Sequence, residues 1–223
     1  MGALGEDLVL LAIDRGNGAV HQRTWLRYAL MGAELAELSA LGRIGLVGGR
    51  IVLTRPGDWV GQATGDMFLD TTLAGLAKAR RPPQPARWVG RPRRGLVNDY
   101  LTALAAAGVI QRRGGVLVPK WPVVNPARAA AARVRLDAVA FGGRHDVGQA
   151  SLAALVAVTG LSRLLYPGAQ NRAIRTQLAQ IARGHWIATA VQHAIAAEQQ
   201  ARARAAASQR EQLERQRRRR RDD

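Results

Sequence analysis

Four histidines, His21, His145, His185 and His193, are scattered through the 223-residue sequence without HExxH or any other ligand spacing, so a histidine-held metal is not expected. Asp66 and Asp70 form an i, i+4 carboxylate pair suited to acid and base roles, but Asp66 follows Gly65 at the start of an apolar periodic run, where helix capping accounts for it. Cysteine is absent, and none of the four serines, Ser39, Ser151, Ser162 and Ser208, sits in a G-x-S-x-G elbow. The glycine-rich stretch Gly42 to Gly49 lacks the lysine and hydroxyl of a phosphate-binding loop. The sequence therefore reads as a non-enzyme with no cofactor and no metal.

What remains is recognition. Lys and Arg total 33 against 16 acids, a net charge of +17, and only Lys78 and Lys120 are lysines. Guanidinium is planar and forks onto phosphate, so the expected partner is an anion. Residues 78–95, KARRPPQPARWVGRPRRG, hold seven cations and no acid among several prolines, which predicts an exposed basic loop. Trp25, two residues before Arg27, and Trp88, inside the basic loop, place indoles beside guanidiniums, an arrangement suited to a phosphorylated, partly apolar head group. Residues 201–223 carry nine arginines, four acids and one leucine, a solvated tail that is either a helical extension or disordered.

The elements that must position these groups are read from periodicity. Residues 5–14, GEDLVLLAID, form a short helix or strand closed by a turn over Asp14 to Gly18. Leu26, Leu30, Ala33, Leu35, Leu38 and Leu41 recur at helical spacing, with Thr24 as N-cap and Gly42 as stop. Ile44 to Val47 and Ile51 to Thr54 make a hairpin about Gly48-Gly49. A helix carrying Met67, Leu69, Leu73 and Leu76 is capped by Asp66 or Thr64. The helix 96–107 leads to a second hairpin turning at Gly114-Gly115, so a helix, a glycine and a Gly-Gly hairpin occur twice about 65 residues apart. Asn125-Pro126 starts an Arg- and Ala-rich helix, and Asp146 caps a nearly all-apolar one that belongs in the core. One long final helix is expected through Ile174, Leu178, Ile181, Ile187, Val191 and Ile195. No run is long enough to span a bilayer. MGALGE has Glu6 where a myristoylation signal prefers Ser or Thr, and the chain reads as cytoplasmic.

GEDLVLLAID with its glycine turn, the Trp-headed helix ending in LGRI, the hairpin, TGDMFLDTTL, and the run from LTALAAAGVI to VLVPKWP, taken in order, resemble the Golgi phosphoprotein 3 family over roughly residues 5–195. The likeness is to a bacterial, actinobacterial version. The resemblance implies a mainly α fold, a single globular domain with a central helical bundle ringed by amphipathic helices and two or more short β-hairpins. It implies attachment to the inner, cytoplasmic face of a membrane, binding of phosphatidylinositol 4-phosphate, protein clients, and self-association through the hairpin 111–119. Trp25 occupies the place of the family's lipid-binding tryptophan. The family's arginines fall on Met31, Arg94 and Val97, so one of those three is kept.

The expectation is thus a Golgi-phosphoprotein-3-like domain over 1–200 and an Arg-rich tail over 201–223. A non-enzymatic peripheral protein would bind anionic lipid head groups through Trp25, Arg94, Arg27, Arg91 and Arg93. The alternative is nucleic-acid binding, because a helix leading into a two-stranded wing also describes a winged helix and +17 suits a phosphate backbone. A polar recognition helix, which that alternative needs, is missing from both repeats.

Overall fold

The computed structural model describes residues 4–54, 63–114 and 119–222. The fold is mainly α, a single domain in which the one sheet among the described residues is a two-stranded hairpin. α1 (Leu4–Ala12) buries nearly all of its residues and ends in the tight turn the sequence predicts, where the Asp14 carboxylate accepts the Gly16 and Asn17 N–H groups at 2.9 Å each. α2 (Arg23–Ala40) starts one residue before Thr24, and Gln22 precedes it in the left-handed region at φ 51°. β1 (Ile44–Val47) and β2 (Arg50–Leu53) pair in the register Ile44 to Leu53, with Gly48 and Gly49 both at positive φ as a type I′ turn requires.

α3 (Met67–Ala77) is capped by Asp66, whose carboxylate accepts the Phe68 and Leu69 N–H groups at 2.8 and 3.1 Å. The neighbouring carboxylate of Asp70 holds Thr64 instead, at 2.7 and 2.8 Å, so both members of the spaced pair serve the helix start. The basic stretch is not wholly a loop. α4 (Pro85–Val89) interrupts it, begun by a proline at the first helical position and anchored by fully buried Val89. α5 (Leu96–Ala106) comes next. The strands of the second expected hairpin show two isolated antiparallel bridges among the described residues, Ile110 to Val123 and Arg113 to Lys120, the latter with N···O distances of 2.8 Å both ways, and part of its turn lies outside the described residues.

α6 (Pro126–Ala140) is capped by Asn125, and α7 (Val147–Val158) by a full capping box between Asp146 and Gln149. α7 runs buried from Ser151 to Val156, as its all-apolar sequence predicts. α8 (Leu161–Leu165) ends at Tyr166. The expected single final helix is two, α9 (Arg172–Arg183) and α10 (Trp186–Asp222). The chain breaks at Gly184 and restarts when the His185 carbonyl accepts the Thr189 N–H. The apolar spacing across the break stays nearly helical, which conceals it in the sequence.

α2 and α7 form the centre. α1, α3, α5 and α10 pack around α2, while α6, α8, α9 and α10 pack on α7. α2, α7 and α10 approach closely because residue 32 is glycine: a Cβ there would stand 2.7 Å from Val191 and 3.0 Å from Leu155. α1 is tied to α6 by buried Asp7, whose carboxylate accepts from Arg128 at 2.7 Å and Arg135 at 2.5 Å. No helix among the described residues is long and apolar enough to cross a membrane.

Candidate functional site

The start of α2 and the start of α5 face one another across a groove of about 490 Å³. Arg23, Thr24 and Arg27 line it from α2, and residues 92–98 line it from the approach and first turn of α5. Arg23 and Arg27 are four residues apart and so share a helix face. Gly95, at φ 81°, leads into α5 with no side chain capping its first turn, where the Leu96 N–H reaches the Arg93 carbonyl at 3.3 Å. An uncapped helix start beside guanidiniums is a site for an anion.

The cations are not equivalent. Arg94 is exposed and has no ion-pair partner among the described residues. Arg23 donates to the Asn98 side-chain oxygen, and partial desolvation pulls its guanidinium below the ordinary value. Arg27 donates to the Tyr28 hydroxyl at 2.8 Å and reaches Glu198 of α10 at 3.3 Å, while its Nε is buried without a partner.

Arg93 is committed inward. Its guanidinium forks onto the fully buried Glu34 carboxylate at 2.5 and 2.8 Å and donates to the Thr72 hydroxyl at 2.7 Å. The Tyr100 hydroxyl donates to the same carboxylate at 3.3 Å, and Tyr100 stacks on Phe68. Burial pushes the Glu34 carboxyl up, and Arg93, Thr72 and Tyr100 pull against it. The sequence signal was present in Glu34, an acid in the middle of a mostly apolar helix, but nothing in the spacing said which cation answers it.

Trp25 does not line the groove. Two residues along a helix is a turn of about 200° from Arg23, which sends the indole toward α10. There it stacks with Tyr28 at 6.4 Å and lies under Arg202, 5.4 Å from the ring centroid. Arg91 lines a second hollow of about 430 Å³ with Arg87, Trp88 and Met31, on the other side of Arg93. The five expected residues therefore divide into Arg27, Arg93 and Arg94 at the groove, Arg91 at the adjoining hollow, and Trp25 against α10. Arg23 and Glu198 were missed. The spacing Glu198 to Arg202 marks an i, i+4 ion pair, realised at 2.9 Å, yet it gives no hint that both side chains also reach α2.

One hydroxyl and imidazole do meet. His185 Nε2 lies 2.9 Å from Ser151 Oγ. The Ala188 N–H points at Nδ1, at 3.4 Å, so Nε2 carries the hydrogen and donates to the serine. The Ser151 hydroxyl donates to the Val147 carbonyl at 2.8 Å. The imidazole is thus a donor to a buried serine whose proton is already placed, the reverse of a nucleophile and its base. Among the described residues no three of His, Asp and Glu gather as a metal site.

The family model for Golgi phosphoprotein 3 (GPP34) matches residues 4–198. The chain belongs to the Golgi phosphoprotein 3 family. The match spans α1 through the packed part of α10 and stops at Glu198, the residue that touches Arg27. In this member of the Golgi phosphoprotein 3 family, α10 runs past the matched residues as one unbroken helix to Asp222. No curated relative matches the chain.

Proposed function

We propose that this protein is a non-catalytic peripheral membrane protein that docks on anionic lipid head groups through the groove between α2 and α5. The observation that carries the reading is that Arg23, Arg27 and Arg94 line one groove with the uncapped start of α5. These three guanidiniums and the α5 amides suit one phosphate monoester, and family membership makes a monophosphorylated inositol head group the specific candidate. Met31 and Val97, where the family resemblance expects arginines, put no charge there, so general anionic-lipid attachment is the broader form of the proposal. Trp25 supports the site indirectly by fixing α10 beside Arg27. Arg91, with Arg87, extends the positive surface into the neighbouring hollow.

Each cation near an anionic surface contributes about 1 kcal/mol, screened by salt. The full chain should sediment with vesicles containing anionic lipid at low ionic strength and be released as salt rises. Replacing Arg23, Arg27 and Arg94 together with alanine should lower the vesicle partition coefficient about a hundredfold, by the same arithmetic. Unchanged sedimentation of the triple variant would overturn the site. Vesicles of equal charge made with phosphatidylserine or with phosphatidylinositol 4-phosphate separate the broad from the specific form. Retention of nucleic acid at physiological salt with no vesicle binding would favour the other partner. Against that partner, α2 is buried on nearly every side and has no face to offer a base-pair groove.

A further inference from the structure

A separate cleft of about 650 Å³ opens where α1, α2, α3, α6 and α7 meet, and it shares no lining residue with either arginine-lined hollow. Its size suits a small ligand. Its walls are mainly apolar, built from Leu4, Ala36, Leu41, Leu69, Val147 and Leu152. Leu41 and Val147 are exposed at its rim, 53% and 70% accessible, large apolar surfaces that nothing among the described residues covers.

The charged lining runs against the charge of the molecule. On a chain of +17 the cleft holds four carboxylates, Asp7, Glu37, Asp66 and Asp146, and one cation, Arg135. Arg135 is neutralised by Asp7, which Arg128 also contacts. Asp66 and Asp146 cap α3 and α7. Glu37 is left with the Leu4 backbone N–H as its partner and no cation among the described residues. Burial together with the negative charge of Asp66, Glu34 and Glu6 pushes its carboxyl up to about 7. A half-buried carboxylate without a counter-ion, at the edge of an apolar cleft, is complementary to a cation that carries its own apolar body.

We propose that this cleft binds a small amphiphile with a protonated amine head and an apolar chain, with Glu37 as the counter-ion of the amine. The apolar walls take the chain, and the uncovered carboxylate selects the sign of the head. The local preference opposes the overall field of the protein, which attracts anions. That opposition separates specific binding from general electrostatics.

The test uses three probes of equal chain length, octylammonium, octanol and octanoate, titrated calorimetrically into the full chain below their micelle concentrations. Octylammonium should bind at least tenfold more tightly than octanol or octanoate. In Glu37→Gln, which keeps an acceptor for the Leu4 N–H, the amine should fall to within twofold of octanol. Ala40→Trp, at an exposed position of the rim, should weaken octylammonium and octanol together by blocking the opening. Octanoate binding as tightly as the amine, or an amine preference that survives Glu37→Gln, overturns the proposal. Saturable binding untouched by Ala40→Trp overturns it as well. Absence of saturable binding by all three probes would mean that the cleft is closed by the chain itself or by a second copy, and the proposal would fail.

Discussion

Arg93 is the residue on which the sequence and the structure place different demands, and replacing it separates them. The guanidinium makes two bonds to Glu34, at 2.5 and 2.8 Å, and one to Thr72 at 2.7 Å, with the carboxylate fully buried and the arginine side chain 28% exposed. Arg93→Ala leaves a carboxylate in the core whose remaining donors are the hydroxyls of Thr72 and Tyr100. Breaking a buried pair in this way costs about 3–5 kcal/mol. Glu34 then takes up a proton more readily, so the loss should shrink as pH falls from 8 to 5. The double variant Arg93→Met with Glu34→Leu removes both charges and should recover most of the stability. Urea denaturation monitored by circular dichroism at the two pH values measures all of this, with vesicle sedimentation of the folded variants as the second reading. A loss below about 1 kcal/mol for Arg93→Ala, coupled to weaker vesicle binding, would refute the assignment of Arg93 as a counter-ion and return it to the lipid site.

Glu37 has its folded-state value raised to about 7 from 4.5. Between those values the native protein holds a proton that the unfolded chain has released, so this group's contribution falls as pH rises from about 5 to 7. Glu37→Gln should flatten that part of the stability profile and gain about 1–3 kcal/mol at pH 8 in denaturant titrations; equal slopes in the two proteins would count against it. Gly32→Ala forces a Cβ to 2.7 Å from Val191 and should cost about 1–3 kcal/mol in the same assay, because a packed crossing admits no extra methyl. Glu198→Gln releases Arg27 from its ion pair and should raise affinity for anionic vesicles two- to threefold in sedimentation, whereas a decrease would mean that Glu198 holds Arg27 in its binding position. For the hairpin 111–119, proposed as a surface of self-association, sedimentation velocity of the full chain should show concentration-dependent dimers that Arg112→Glu with Arg113→Glu removes.

Local rules carried far in this fold. The caps at Asp66, Asn125 and Asp146 and the Gly48-Gly49 turn were legible because each is decided within four residues. The same is true of the all-apolar α7. The break at Gly184 was not legible, since the apolar residues on its two sides remain nearly in phase and the glycine adopts an ordinary helical φ of −83°. α4 was hidden in a segment whose charge and proline content describe a loop, although Pro85 and buried Val89 make one helical turn of it. At the site, residue type was informative and direction was not. Trp25 meets Arg202 of α10 instead of lining the groove, Arg27 lines the groove while reaching Glu198 on the same helix, and Arg93 and Arg94 are adjacent while one turns to Glu34 and the other to solvent. Those differences are set by partners 59 and 171 residues away along the chain, which no local pattern records.

The unbroken passage of α10 beyond the packed body has a thermodynamic consequence. A free peptide with the sequence of residues 199–222 would have to nucleate its own first turn, the costly step in forming a helix. Here residues 186–198 are already wound by their packing, and Arg202 against Trp25 extends the hold by one more turn. The segment beyond residue 198 therefore only propagates, templated from its root. Its order is on loan from the domain, so heating should unzip it inward from Asp222 over a broad range, ahead of the cooperative loss of the core, and cutting the chain at residue 198 should leave the severed piece as coil.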